Sequence, residues 1–333
     1  MSTRALSRRD MVAILGAGAL CGPVATHAQQ SAAKRRVGVL MNLAVGDQEG
    51  EARYTAFREA LQKLGWTEGR NLLIDHRWGA GDLESLRRYA AELVALSPDV
   101  LLAGGGPTVE PLRQAARAVP IVFTNTNDPV ALGYVASLPR PGGTITGFIN
   151  IEYGVSGKWL ELLKQMTPNL THAAVIWDSS FSGGKTQLGE IERVASVLHL
   201  RLSPIDLRDP NLESAIAAFS READGGLVVT ASTSATLHRK EIISLAARHR
   251  IPAVYSNRLY VFDGGLLSYG PDFLDQYRRA ADYVARILKG AKPADLPVQA
   301  PVVYEVVLNN RTANDLGLKV PRIVLLQAKE VLD

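Results

Sequence analysis

The residues of this sequence best suited to hold a small molecule are mostly neutral hydrogen-bonding groups that stand just after short apolar runs. Asn42 follows the first run and Trp78 ends the second, while Gly105, Gly106 and Thr108 follow the third and Asn125, Asn127 and Asp128 the fourth. In the second half, Asp178, Ser179 and Ser180, then Thr230 and Ser232, then Tyr255 and Asn257 occupy the same positions. In open parallel sheets ligands bind beyond the carboxyl ends of the strands, so these residues are the candidate ligand-binding set. The glycines before Pro107 and Thr108 open a helix, and free amides there favour a carboxylate or phosphate. Asp128 and Asp178, one in each half, have the chemistry to accept hydrogen bonds from an ammonium group, although both also stand where helix caps stand. Trp78 offers a flat face for stacking.

No residue set points to turnover. The histidines after residue 30, His76, His172, His199, His238 and His249, are scattered, and neither a Gly-x-Ser-x-Gly elbow nor a His-Glu-x-x-His helix is present. The run Ser179 to Thr186 has the Gly-Gly-Lys-Thr ending of a phosphate-binding loop, but Ser179 stands where that motif needs its first glycine. Cys21 is the single cysteine, so no intrachain disulfide forms, and no Cys/His spacing suits zinc. No cofactor, metal or catalytic residue is expected. A formal charge of +4 from 37 basic and 33 acidic side chains, with no run of five or more like charges, argues against nucleic acid as a partner.

The elements that must position these residues alternate as strands and helices do in α/β proteins. The first half reads as strand Val37 to Asn42, helix Glu51 to Leu64, strand Leu72 to Arg77, helix Leu83 to Leu96, strand Val100 to Ala103, helix Pro107 to Ala118 and strand Ile121 to Thr124. In the first helix Ala52, Phe57, Ala60, Leu61 and Leu64 make the apolar stripe, leaving Arg53, Arg58, Glu59 and Lys63 on the other face. After the turn-rich Pro139 to Gly143 the rhythm restarts. Helices are expected over Ser156 to Met166, Leu188 to Leu198, Leu212 to Arg221 and Ala235 to His249, with strands Ala173 to Trp177, Arg201 to Asp206, Gly226 to Thr230 and Ala253 to Ser256. Ile145 to Phe148, Leu266 to Tyr269 and Ala300 to Leu308 are extended pieces where the chain crosses between halves, and Gln276 to Leu288 is a long helix between the last two. The expected fold is two doubly wound parallel-sheet lobes joined by a three-crossing hinge. Lobe 1 takes residues 34–146 and 270–298, and lobe 2 takes 147–269 and 299–333.

Residues 1–28 read as an export signal. Arg8 and Arg9 follow Ser7 as in twin-arginine leaders, an apolar stretch runs from Val12 to Leu20, and Thr26-His27-Ala28 supplies the small residue a signal peptidase requires. That stretch is about half the length needed to span a bilayer. Its removal takes three arginines and one aspartate and leaves a net charge of +2. The expected location is the periplasm.

Several words along the chain carry a resemblance: Val37-Gly38-Val39-Leu40, Phe57-Arg58-Glu59-Ala60-Leu61, Gly65 to Asn71, Asp128-Pro129-Val130-Ala131-Leu132-Gly133, Ser137 to Gly147 and Asn310 to Leu318. Together they resemble the ABC-transporter substrate-binding proteins of tryptophan/tyrosine type, which have the type I periplasmic-binding fold. Trp177-Asp178-Ser179-Ser180 departs from the Asn-Pro loop that relatives carry there. The resemblance implies a small amino-acid-like or aromatic ligand held between two lobes and delivered to a permease in the inner membrane with its ATPase. An extracytoplasmic sensing module and a two-lobed enzyme are the alternative readings.

Overall fold

The computed structural model describes residues 34–150, 152–181 and 183–333. The expected leader at residues 1–28 and Ser182 of the serine-glycine run lie outside the described residues.

The first sheet is built from β1 (Arg35–Met41), β2 (Leu72–Trp78), β3 (Val100–Gly104), β4 (Ile121–Thr126) and β5 (Ile145–Ile149), in the order β2-β1-β3-β4-β5. All four pairings are parallel. Such a sheet must be covered on both faces, and for this reason β3 is buried at every position. One face carries α2 (Leu83–Ala95) and α3 (Val109–Ala115), with Leu40, Leu86, Leu93, Leu101 and Phe123 between the layers. On the other, Val39, Leu102, Phe57 of α1 (Gln48–Lys63) and Tyr277 of α10 (Phe273–Leu288) share a core. Asp47 and Asp272 start α1 and α10 by accepting the amides of Gly50 at 2.8 Å and Asp275 at 3.1 Å.

The second sheet has the order β12-β11-β10-β9-β8-β6-β7. Its strands are β6 (His172–Trp177), β7 (Arg201–Asp206), β8 (Gly225–Val229), β9 (Ala253–Tyr255), β10 (Leu267–Pro271), β11 (Tyr304–Asn309) and β12 (Ala328–Leu332). Every pairing is parallel except β10 with β11. Pro204 lies in β7, an edge strand, where its missing N–H costs no ladder bond. Helices α4 (Gly157–Met166) and α5 (Gly184–Leu198) cover one face around Trp159, and α6 (Leu212–Phe219) and α8 (Arg239–Arg248) the other around Ile242. The architecture is the doubly wound, two-sheet α/β arrangement that the sequence pattern predicts.

Three differences have local causes. The helix expected over Ala235 to His249 is two, α7 (Thr233–Leu237) and α8, because His238 leaves helical geometry between them. Helices α9 (Arg258–Phe262), α11 (Asn310–Asp315) and α12 (Arg322–Gln327) and strand β12 were not expected; each has five or six residues, too few to print a period. The helix expected from Pro107 to Ala118 spans only Val109–Ala115, since Ala116 turns away at φ −120° and ψ 82°.

The chain passes between the sheets after β5, after β10 and again between Gln299 and Tyr304. Gln299 still lies beside β5, donating to Gly147 O and accepting from Ile149 N, both at 3.0 Å. The carboxyl ends of β1, β3, β4 and β5 thereby face those of β8 and β9.

Candidate functional site

Between these strand ends lies a cavity of about 130 Å³. The first sheet lines it with Asn42 after β1, Gly105 and Gly106 after β3, Asn125 and Asn127 at the end of β4 and Asn150 after β5. From the second sheet come Ser232 after β8 and Ser256 and Asn257 after β9, and Arg53 of α1 and Phe273 of α10 also line it. For scale, a dry cavity of ~150 Å³ takes one benzene ring.

Local structure aims these groups. Asn125 has φ +51°, the left-handed region that Asn tolerates better than most residues, and the β4–β5 register shifts between Phe123 and Thr126. Gln276 of α10 holds this bulge: its Oε1 accepts the Asn125 amide at 3.2 Å and its Nε2 donates to Ile149 O at 3.1 Å. Gly105 has φ +117°, and a Cβ there would stand 3.1 Å from the Cβ of Asn42. Across the cavity, Ser232 accepts the Ala235 amide and Asn257 the Leu259 amide, capping α7 and α9. Gln187 fixes the intervening loop with two bonds to Ala231, at 2.8 and 2.9 Å.

Six buried polar atoms on lining residues have no hydrogen-bond partner: Oδ1 of Asn42, Asn125, Asn127 and Asn150, Oγ of Ser256 and Nη2 of Arg53. Each such group costs about 1–3 kcal/mol when left unpaired, and native proteins rarely gather several without a purpose. Among the lining residues none is acidic. The unpaired groups are thus one guanidinium nitrogen, four amide oxygens and a hydroxyl.

Of the residues expected from sequence, Asn42, Gly105, Gly106, Asn125, Asn127, Ser232 and Asn257 line this cavity. The other eight are placed outside the lining. Thr108 is buried, with its hydroxyl donating to Gly105 O at 2.7 Å; its amide bonds the same oxygen, and the Gly105 amide bonds Ala103 O. Two of the amides expected to receive an anion are thus engaged within the chain. Thr230 donates to Ile176 O at 3.1 Å, and Tyr255 stacks on Tyr260 at 4.7 Å. Asp178 accepts the amide and hydroxyl of Ser180, and the Ser179 amide meets Asp206. Asp128 accepts the Ala131 amide at 3.0 Å, and burial, aided by the Asp128 charge, pushes the Tyr153 phenol up to about 12. Trp78 meets Tyr54 edge-on at 6.1 Å, against α1.

The model of a family described as ABC transporter substrate binding protein matches residues 39–332. The chain belongs to that family. A tyrosine-binding protein of Clostridioides difficile (strain R20291) is 25% identical over 265 residues, covering 79% of this chain and 76% of that protein. The solved structure of an ABC domain in complex with L-Trp from Streptococcus pneumoniae is 25% identical, with a TM-score of 0.75 over 90% of this chain and 100% of that one. A conserved domain protein from Vibrio cholerae O1 is 26% identical, with a TM-score of 0.74 over 90% and 99% of the two chains.

For a substrate-binding protein of this family, four lining residues absent from the sequence expectation matter most: Arg53, Asn150, Ser256 and Phe273. Asn150 and Ser256 also follow strands, so the same strand-end rule reaches them. Arg53 and Phe273 lie on α1 and α10, and no local signal marks either one.

Proposed function

We propose that this chain is the solute-binding component of an ABC importer, which captures an amino-acid-like or aromatic small molecule between its two sheets and delivers it to an inner-membrane permease. The six unpartnered polar atoms facing one cavity carry this reading. A ligand that pairs them turns a standing cost into binding energy, and loop-borne neutral groups on two separately built sheets suit a site that must close and then reopen. The L-Trp and tyrosine named for the relatives support an amino acid as ligand. Two lobes, one on each sheet, would move about the three passages of the chain. The twin-arginine leader read at residues 1–28 supports export to the periplasm.

Thermal unfolding of the purified protein with L-tyrosine, L-tryptophan, aromatic acids and nucleobases tests the proposal. A ligand at 100 times its dissociation constant adds about 2.7 kcal/mol, which raises the melting temperature by roughly 5–10 °C for a chain of this size. Stabilisation by an aromatic amino acid, with the compound recovered unchanged, is the expected result; chemical turnover or indifference to the whole panel contradicts it.

A further inference from the structure

Resting on the reading of the cavity as a solute site, we infer that Arg53 is the seat of a carboxylate, so that the ligand class is a carboxylic acid of zero or negative net charge. Arg53 lies on α1 with its side chain only 8% exposed. Its guanidinium is fixed on two sides: Nε donates to Glu49 Oε1 at 2.9 Å, and its plane sits 4.3 Å over the ring of Phe273, itself a lining residue. Glu49 is held in turn by Arg258, whose Nε stands 3.7 Å from Glu49 Oε2, and Arg258 is anchored by Glu305 at 2.9 Å and by Glu330. The Glu49–Arg53 hydrogen bond is single-pronged through Nε, the Arg258 contact at 3.7 Å being an ion pair beyond hydrogen-bond distance, and Nη2 at the cavity wall has no acceptor.

A guanidinium does not shed its proton to relieve such an unmet bond, as a buried lysine can. What satisfies it best is a planar anion approaching the open edge, with a charge-assisted bond about twice as strong as a neutral one. The remaining groups fix the rest of the class. The amide oxygens of Asn42, Asn125, Asn127 and Asn150 accept from a donor such as an ammonium, yet no lining carboxylate neutralises it. A ligand of net positive charge would meet the open edge of the guanidinium with no carboxylate on the lining to receive it, since Glu49, which partners Arg53 through Nε, stands outside the lining. An ammonium is therefore admitted only on a molecule that brings its own carboxylate.

Calorimetric titration of the purified protein with L-tyrosine, L-tyrosinamide and 3-(4-hydroxyphenyl)propanoate, and with the corresponding tryptophan set, reads this directly. The wild-type protein should bind the acids at least about tenfold more tightly than the amides, which lack the anion. Arg53→Gln should weaken the acids by about tenfold or more and bring acid and amide within about twofold of each other, with Arg53→Lys between the two. The wild-type comparison needs no variant, so a poorly folding Arg53→Gln leaves it intact. Equal binding of acid and amide by the wild type, or an acid preference retained in Arg53→Gln, overturns the assignment. Binding of the propanoates but of no amino acid defeats the amino-acid reading and upholds the carboxylate seat. If no carboxylate in the set binds, the seat is overturned.

Discussion

Replacing Gln276 by Ala removes a side chain that is 1% exposed and joins three elements. The Asn125 amide of β4 and the Ile149 carbonyl of β5 lose their partner on α10 together. Each unpaired group costs about 1–3 kcal/mol, and we take the lower part of the summed range, about 2–4 kcal/mol, because the cavity beside Asn125 admits water. At about 2–4 °C per kcal/mol this is a fall of roughly 4–16 °C in melting temperature, measured by differential scanning calorimetry. Gln276→Glu keeps an acceptor for Asn125 but buries a carboxylate against the Ile149 carbonyl, and should lose at least as much. The left-handed backbone of Asn125 is a strained state, worth about 1–3 kcal/mol, that its surroundings must enforce. Ligand affinity should therefore fall with stability in Gln276→Ala. A melting temperature within about 1 °C of wild type refutes the inference that this side chain holds the bulge. A large loss of stability with unchanged affinity would separate Gln276 from the aiming of Asn125.

Three further outcomes follow from the same geometry. Gly147→Ala places a Cβ 2.1 Å from Phe123 O at a residue with φ +153°, so β4 and β5 must part; soluble yield and melting temperature should both drop, and normal values for both would contradict the pairing. Arg258→Leu leaves the buried Glu49 and Glu305 with one cation each and should cost about 3 kcal/mol in urea unfolding, the low end for a broken buried pair. Burial alone would raise the Asp272 carboxyl, but the Lys329 ammonium and the Asp275 amide outweigh it and hold the group below its ordinary value of 3.8. A lowered carboxyl stabilises the fold above the unfolded value and loses that contribution as pH falls through the folded one. Asp272→Asn should thus be less stable than wild type at pH 7, with the gap narrowing below about pH 4; a constant gap from pH 7 to pH 2 would count against the ion pair.

The fold was legible because its strands are short apolar runs buried on both faces, such as Val37 to Met41, separated by helices long enough to show a stripe. The strand-end rule found Asn42, Asn125, Asn127, Ser232 and Asn257, and extends to Asn150 and Ser256. It has no means of telling a strand-end group that faces the cavity from one spent on its own loop, as Thr108, Asp178 and Asp128 are here, or on the neighbouring strand, as Thr230 is. Arg53 shows a different limit. Helical periodicity puts it on the polar face of α1, and that face would meet water if the first half of the chain stood alone. Instead α10, more than 200 residues later in the chain, packs against α1 and brings Phe273 beneath the guanidinium. A single-helix pattern records one burial partner, and α1 has two. The last strand, β12, alternates partly buried and exposed residues at a sheet edge, too short and too polar to stand out.

Diffraction from crystals grown with the tightest binder of the screen tests the central claim most directly. The ligand should lie between the two sheets, with polar atoms within hydrogen-bond distance of Arg53 and of at least two among Asn42, Asn125, Asn127, Asn150 and Ser256. A ligand seated instead at the Asp178 to Ser180 loop or on an outer face, with those side chains still without partners, would contradict it.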